Sequence, residues 1–455
     1  MKHINLVLLC FLCLPFTGFR AQQTYNLQTC LKEALQNNHN LKKSRFDKEK
    51  SEQSRKEVLG ALLPQVSGSA SLTDNIQKTK FIMPNFMNKF LPASMVDPNA
   101  ADYMEIEMGL TYQAGVGVAL NQQLLNLSLF NAVKIAQTAQ QLAAIGHESK
   151  EEDIISQTAG LYYAIQVTQY TVDQFDKSLS LMDNMLETMN ASYDNGIIRK
   201  VDMDRLKVAK SNLETQKNAI MSVLDVQKNL LKLQMGREMD QPVDVEPIDL
   251  AFFESQSEQP VIQDFDLNQQ APYRLMMQQK TIGELQKKSA LYESMPVVTF
   301  TMNYNYNYLG NDFLKSDYSY PSALAMINLK VPIFSGLSRT AKLKQASYEQ
   351  QKIKEDIASL EQSLNMAYLN ALRKLEDSRQ TIDSQKKNMK LAQDVYDVTE
   401  ANYQQGIASM SDVLNASSSL IQSQVNYASA LSDCMKAYID LKKANGSVRE
   451  LVTGF

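Results

Sequence analysis

The feature that most limits what this chain can fold into is a pair of Pro-free helical runs, residues 127–193 and 337–403, each ending in the same short turn. At 1.5 Å per residue, either run would reach roughly 100 Å, far more than an ordinary globular core needs. The turns read "YDNGIIRKVD" from Tyr193 and "YQQGIASMSD" from Tyr403. Tyr193, Gly196, Asp202 and Gly236 map at one constant offset of 210 residues onto Tyr403, Gly406, Asp412 and Gly446, so the chain reads as an internal duplication. In the first run Ile165, Thr168, Val172, Phe175, Leu179, Met182, Leu186, Met189 and Tyr193 advance by alternating threes and fours. That is a coiled-coil seam of period 3.5, which winds left-handed. Leu375, Ile382, Met389, Tyr396 and Tyr403 mark every seventh position of the second run. Each turn leads into a shorter helix ending near Gly236 or Gly446, where glycine suits a helix C-terminus. Each repeat therefore carries a helical hairpin with its tip at residues 193–202 or 403–412.

Upstream of each long run lies another helix, from about Leu27 to Leu63 before Pro64 and from about Pro272 to Met295 before Pro296. Proline cannot continue a helix and biases its predecessor to extended structure. Strands are expected near 66–75 and 110–121 in the first repeat, and near 297–308 and 322–332 in the second. Val298, Phe300, Met302, Tyr304, Tyr306 and Tyr308 alternate with Thr299, Thr301, Asn303, Asn305 and Asn307. Val66, Gly68, Ala70 and Leu72 alternate likewise with serines and Thr73. One face is apolar and the other wet, close to the length a tilted membrane strand needs. Alternation alone also fits a soluble sheet with one buried face. Four strands cannot close a barrel, and an open edge is intolerable in lipid, so several chains must share one barrel. The first strand connection carries 23 extra residues, placed between about Ile76 and Gly109. Its methionines (83, 87, 95, 104 and 108) suit a flexible surface loop better than a soft-metal relay. Residues 237–270, with Pro242, Pro247 and Pro260, read as an irregular connector.

The N-terminus "MKHINLVLLCFLCLPFTGFRAQQ" has the basic start, apolar run and small residue of a secretory signal over residues 1–21. Its removal leaves 44 basic against 50 acidic residues, which argues against a nucleic-acid binder. The remaining Cys30 and Cys434 suit either a disulfide or two unpaired buried thiols. His39 and His147 lie on separate helices, and no phosphate-binding glycine loop or metal-ligand cluster occurs, so no enzyme and no cofactor is expected.

Helix, Pro, strand, loop, strand, very long helix, Tyr-x-x-Gly tip and shorter helix, all repeated, resembles the TolC family of outer-membrane efflux proteins. The likeness covers residues 22–236 and 271–455, and rests most on the tips "ASYDNGIIRKVDMDRLKVA" and "ANYQQGIASMSDVLNASSSL". "LQTCLKEALQNNHNL", "LPQV" and "VPIFSG" fit as well. The resemblance implies a mainly α chain with transmembrane β-strands. Three copies would form a twelve-stranded outer-membrane β-barrel continued by a twelve-helix periplasmic α-barrel. It implies a passive exit duct reaching into the periplasm, served by an adaptor protein and an inner-membrane pump of RND, ABC or MFS type. It also places Tyr403, Asp202 and Asp412 at the periplasmic gate, and Gly196, Ile197, Gly406 and Ile407 at adaptor-docking tips. Ala408 stands where the family's best-known member has a gate-bonding arginine, for which Arg199 or Lys200 could substitute; Asn415 replaces a second acidic position. Independently of the resemblance, Asp202 and Asp412 suit helix N-terminal carboxylates favoured by the dipole, and one residue can serve both roles. A periplasmic coiled-coil scaffold or adaptor is the other reading, although adaptors bring one hairpin where this chain brings two. A general porin would be mostly barrel.

Overall fold

A computed structural model describes residues 24–86, 90, 92, 95, 101–194, 198–250, 265–313, 315 and 317–453. The chain begins with β1 (Thr24–Tyr25), α1 (Leu27–Asn37), α2 (His39–Gly60), β2 (Gln65–Asp74), β3 (Thr79–Pro84), β4 (Tyr103–Met108) and β5 (Tyr112–Leu125). The long helix α3 (Leu127–Asp194), α4 (Lys200–Met235) and β6 (Asp244–Val245) follow. Then come α5 (Ala271–Tyr292), β7 (Val297–Gly310), β8 (Tyr318–Lys330), α6 (Ser338–Gln404), α7 (Met410–Ala444) and α8 (Glu450–Thr453). Among the described residues, no helix is long and apolar enough to cross a membrane.

The chain divides into two compact units. One, residues Asp47–Ala144 and Met276–Ile357, holds an antiparallel sheet in the order β2-β5-β7-β8. Its register gathers like with like. Ala70 faces Val116, which faces Tyr306; Gly68, Val118, Tyr304 and Ala323 form the next row. The rows between are polar or small across β2, β5 and β7, as in Ser69, Gly117 and Asn305, while β8 adds Ser322 together with Tyr320, Leu324 and Met326 on that face. On the two central strands the apolar side chains are the more exposed: Val116, Val118 and Tyr304 are each 51% exposed, whereas Asn303, Asn305 and Asn307 are half-buried. A soluble sheet would bury the first set and expose the second. Among the described residues, the outer strands β2 and β8 each have one partner strand only.

One expectation changes in this unit. The loop placed between Ile76 and Gly109 contains a hairpin, with β3 paired antiparallel to β4 and Met83 opposite Met104. Its alternation puts Phe81, Met83, Met104 and Ile106 on one face and Lys80, Glu105 and Glu107 on the other, with Lys80 2.9 Å from Glu105. Met83, Met104 and Met108 thus belong to strands, Met95 lies outside them, and Met87 lies outside the described residues. The connection from β8 to α6 turns through two successive left-handed residues, Gly336 (φ 59°) and Leu337 (φ 65°).

The other unit, residues Met1–Phe46, Ile145–Leu275 and Ala358–Phe455, holds the main apolar core. Here the single helix expected over 27–63 is interrupted. Asn38 donates its N–H to Ala34 O (2.9 Å), closing α1, while its Oδ1 accepts from the N–H groups of Asn40 and Leu41 and so caps α2. Its Nδ2 also donates to the Gln234 carbonyl (2.8 Å), tying this break to the end of α4. One asparagine thus satisfies groups that a continuous helix would have paired internally. The connector 237–270 is not wholly irregular: β6 pairs in parallel with β1, and Leu267–Gln269 form a 3-10 turn. Arg237, just after α4, makes two 2.7 Å bonds to Glu33 and stacks over Tyr25. An acidic turn of α3 gathers other segments, Glu148 binding Arg274, Glu151 binding Arg449 and Asp153 binding Lys443. Cys30 and Cys434 are both buried and unpaired; burial pushes the Cys30 thiol up to about 12.

Candidate functional site

Both hairpin tips lie in the second unit and share one apolar cluster. Phe175, Met182 and Met189 of α3 pack with Met203, Leu206 and Leu213 of α4, Tyr396 of α6, and Met410, Val413, Ala416 and Leu420 of α7. The seven-residue spacing within α3 aims successive side chains at one stripe of the partner helices. The equivalent tyrosines fare differently: Tyr403 is half-buried against this cluster, while Tyr193 is 40% exposed.

The second tip turns where Gly406 adopts φ 73°. Gly406 donates to Tyr403 O (2.9 Å) and Ile407 to Asn402 O (2.9 Å), the pair of bonds that closes a helix through a left-handed residue. Ser409 then caps α7 reciprocally with Asp412. The Asp412 N–H donates to Ser409 Oγ, and Asp412 Oδ2 accepts from the Ser409 N–H (2.9 Å) and hydroxyl (2.6 Å). These bonds hold the Asp412 carboxyl below its ordinary value. Ile407 is 72% exposed.

At the first tip, Asp202 sits in the first turn of α4 with its side chain only 13% exposed. Arg199 Nε donates to Asp202 Oδ2 (3.1 Å), and Arg205 Nη1 lies 3.6 Å from Oδ1. Arg205 Nη1 also donates to Ser411 Oγ of α7 (2.9 Å), so it links one tip to the other. Burial first, and then the nearby Asp202 charge, raise the Tyr403 hydroxyl above its ordinary value. Asp202, Tyr403, Arg205 and Ser411 are therefore neighbours, while Asp412 is engaged in its own cap. Gly196 and Ile197 lie outside the described residues. Arg199 stays with Asp202 of its own tip. Sequence reasoning missed Arg205 and Ser411; the one available signal was that Arg205 follows Asp202 by three residues, a helical neighbour distance. No group of three or more metal-ligating side chains occurs among the described residues.

A sequence profile described as outer membrane efflux protein matches residues 30–234 and 284–447, which include both hairpins and all four strands of the sheet. The chain belongs to the outer membrane efflux protein family. The outer membrane protein TolC of Escherichia coli K12 is 20% identical over 454 residues, covering 96% of this chain and 85% of the relative. The outer membrane protein VceC of Vibrio cholerae superposes with TM-score 0.70 at 16% identity, over 92% of this chain and 96% of that one. The open MtrE outer membrane channel of Neisseria gonorrhoeae gives TM-score 0.70 at 17% identity, over 94% and 91%. As an outer membrane efflux protein, the chain is an outer-membrane duct of a transport family and not a member of an enzyme class.

Proposed function

We propose that three copies of this chain assemble into a twelve-stranded barrel in the outer membrane and a twelve-helix periplasmic tunnel. The assembly passively conducts solutes delivered by an inner-membrane pump through a periplasmic adaptor. Residues 1–21 serve as the export signal, 22–236 and 271–455 as the two repeats, and 237–270 as the connector between them. The observation that carries this reading is the four-stranded sheet, bare on the apolar face of its central strands and, among the described residues, without a partner on the outer side of β2 and of β8. In lipid, unpaired strand edges are prohibitively costly, and lateral pairing of β8 with β2 of the next copy removes every edge.

In this reading Tyr403, Asp202 and Arg205 form the latch of the periplasmic gate. Asp412 contributes negative charge at its mouth. Gly196, Ile197, Gly406 and Ile407 form the adaptor-docking tips, to which the exposed Ile407 offers an apolar contact. The test is the state of the protein extracted from outer membranes. Trimers that resist dissociation in detergent and conduct in planar bilayers are expected, whereas a soluble monomer would return the chain to the scaffold reading.

A further inference from the structure

The polar face of the sheet carries a device that its composition alone does not reveal. Asn303, Asn305 and Asn307 alternate along β7, opposite Ala119, Gly117 and Gly115 of β5. The Asn305 amide lies in the space a Cβ at position 117 would occupy, and the carbonyl oxygen of Tyr304 stands 3.1 Å from that same point. Asn307 Oδ1 and Ser71 Oγ flank the equivalent point at Gly115, each at 3.6 Å. The side chains are tied sideways too. Asn307 Nδ2 donates to Ser322 Oγ (3.1 Å), and the Thr301 hydroxyl donates to Asn121 Oδ1 (3.0 Å). The ladder therefore lies flat along the wall, half-buried, instead of standing out from it. Along all four strands the charged residues are Asp74 and Lys330, each the last residue of its strand.

We infer that the flat-lying amide ladder over Gly115 and Gly117 keeps the barrel section of the duct wide and indifferent to the sign of a solute's charge. The inference rests on the duct reading, because it takes the polar face as the lumen. A glycine track matters here because any side chain at 117 would push the Asn305 amide into the passage. The absence of fixed charge matters because a ring of like charges in a narrow pore sets up a potential of several kT.

The test is the rate at which externally added, membrane-impermeant thiol reagents, one cationic and one anionic, modify Ser69→Cys in cells, with Tyr304→Cys on the apolar face as control. Ser69→Cys is expected to react with both reagents, in the ratio shown by a free thiol, and Tyr304→Cys with neither. Adding Asn305→Asp raises the cation-to-anion ratio by roughly tenfold. Adding Gly117→Ala slows both reagents alike, and Gly117→Ala with Asn305→Ala restores the rate, because nothing remains to be displaced. Should Gly117→Ala block assembly, recovery of trimers in that double variant reports the same collision. A ratio in the otherwise native chain far from the free-thiol value would overturn the inference, as would an assembled Gly117→Ala variant with unchanged rates. Reaction at Tyr304→Cys but not at Ser69→Cys would instead reverse the faces and remove the duct reading itself.

Discussion

Replacing Arg205 with alanine removes the polar link from one tip to Ser411 of the other without touching the apolar cluster they share. Arg205 is itself half-exposed and Asp202 keeps its bond to Arg199, so the expected stability loss is small, about 0–1 kcal/mol. The consequence belongs to conduction: Arg205→Ala should raise single-channel conductance in planar bilayers severalfold. Arg199→Ala should leave it unchanged, because Arg199 reaches only the Asp202 of its own tip. Equal effects of the two variants would remove Arg205 from the latch. Asp412 makes a different prediction. Its carboxyl is held low by Ser409, so its support of the α7 cap is present above the unfolded carboxylate range and is lost as pH falls through the lowered folded value. Ser409→Ala should bring the titration of Asp412 back up toward the ordinary value, read from the carboxyl resonance of aspartate-labelled protein. An unchanged midpoint would mean that the cap bonds do not set it.

At the scale of elements, three helices end in the same way but in different surroundings. Gly406 at the tip, and Gly236 and Gly446 after α4 and α7, all have φ between 66° and 76°. A Cβ at Gly406 would meet nothing within 4 Å, whereas at Gly236 it would collide with the backbone carbonyl of Asn37. Gly406→Ala should therefore cost only the left-handed penalty, about 1–2 kcal/mol, and Gly236→Ala distinctly more. Thermal unfolding of the assembled protein in detergent compares them, and equal losses would show that the approach of α1 to α4 yields freely. The glycines and their turns were readable from the repeat. The difference between them was not, since Asn37 is about 200 residues away along the chain. Asn38 is a different case: its capping bonds to Asn40 and Leu41 are local and an asparagine at that place was a readable signal, whereas its tie to Gln234 was not. The β3–β4 hairpin was legible in principle through its alternation, but its methionines and the long stretch between its strands obscured it.

For the whole molecule, the bare apolar face is the feature that a membrane environment explains and water does not. Val118→Arg, on that face near the middle of β5, should cost about 2–4 kcal/mol per copy and deplete trimers in the outer membrane. Ser69→Arg, directly beside it on the polar face, should be tolerated. The amount of heat-resistant trimer in outer-membrane fractions measures both, and equal depletion would contradict the assignment of faces. The sequence by itself determined the periods: 3.5 along the long helices, 2 along the strands, with glycine and proline where each must stop. These follow from backbone geometry, which acts between residues a few positions apart. Only the tertiary structure decided which of two matching tyrosines is covered, that Arg205 bridges to Ser411, and that Asn305 lies over Gly117. Those contacts join segments up to about 200 residues apart, and the packing that brings them together is a property of all the elements at once.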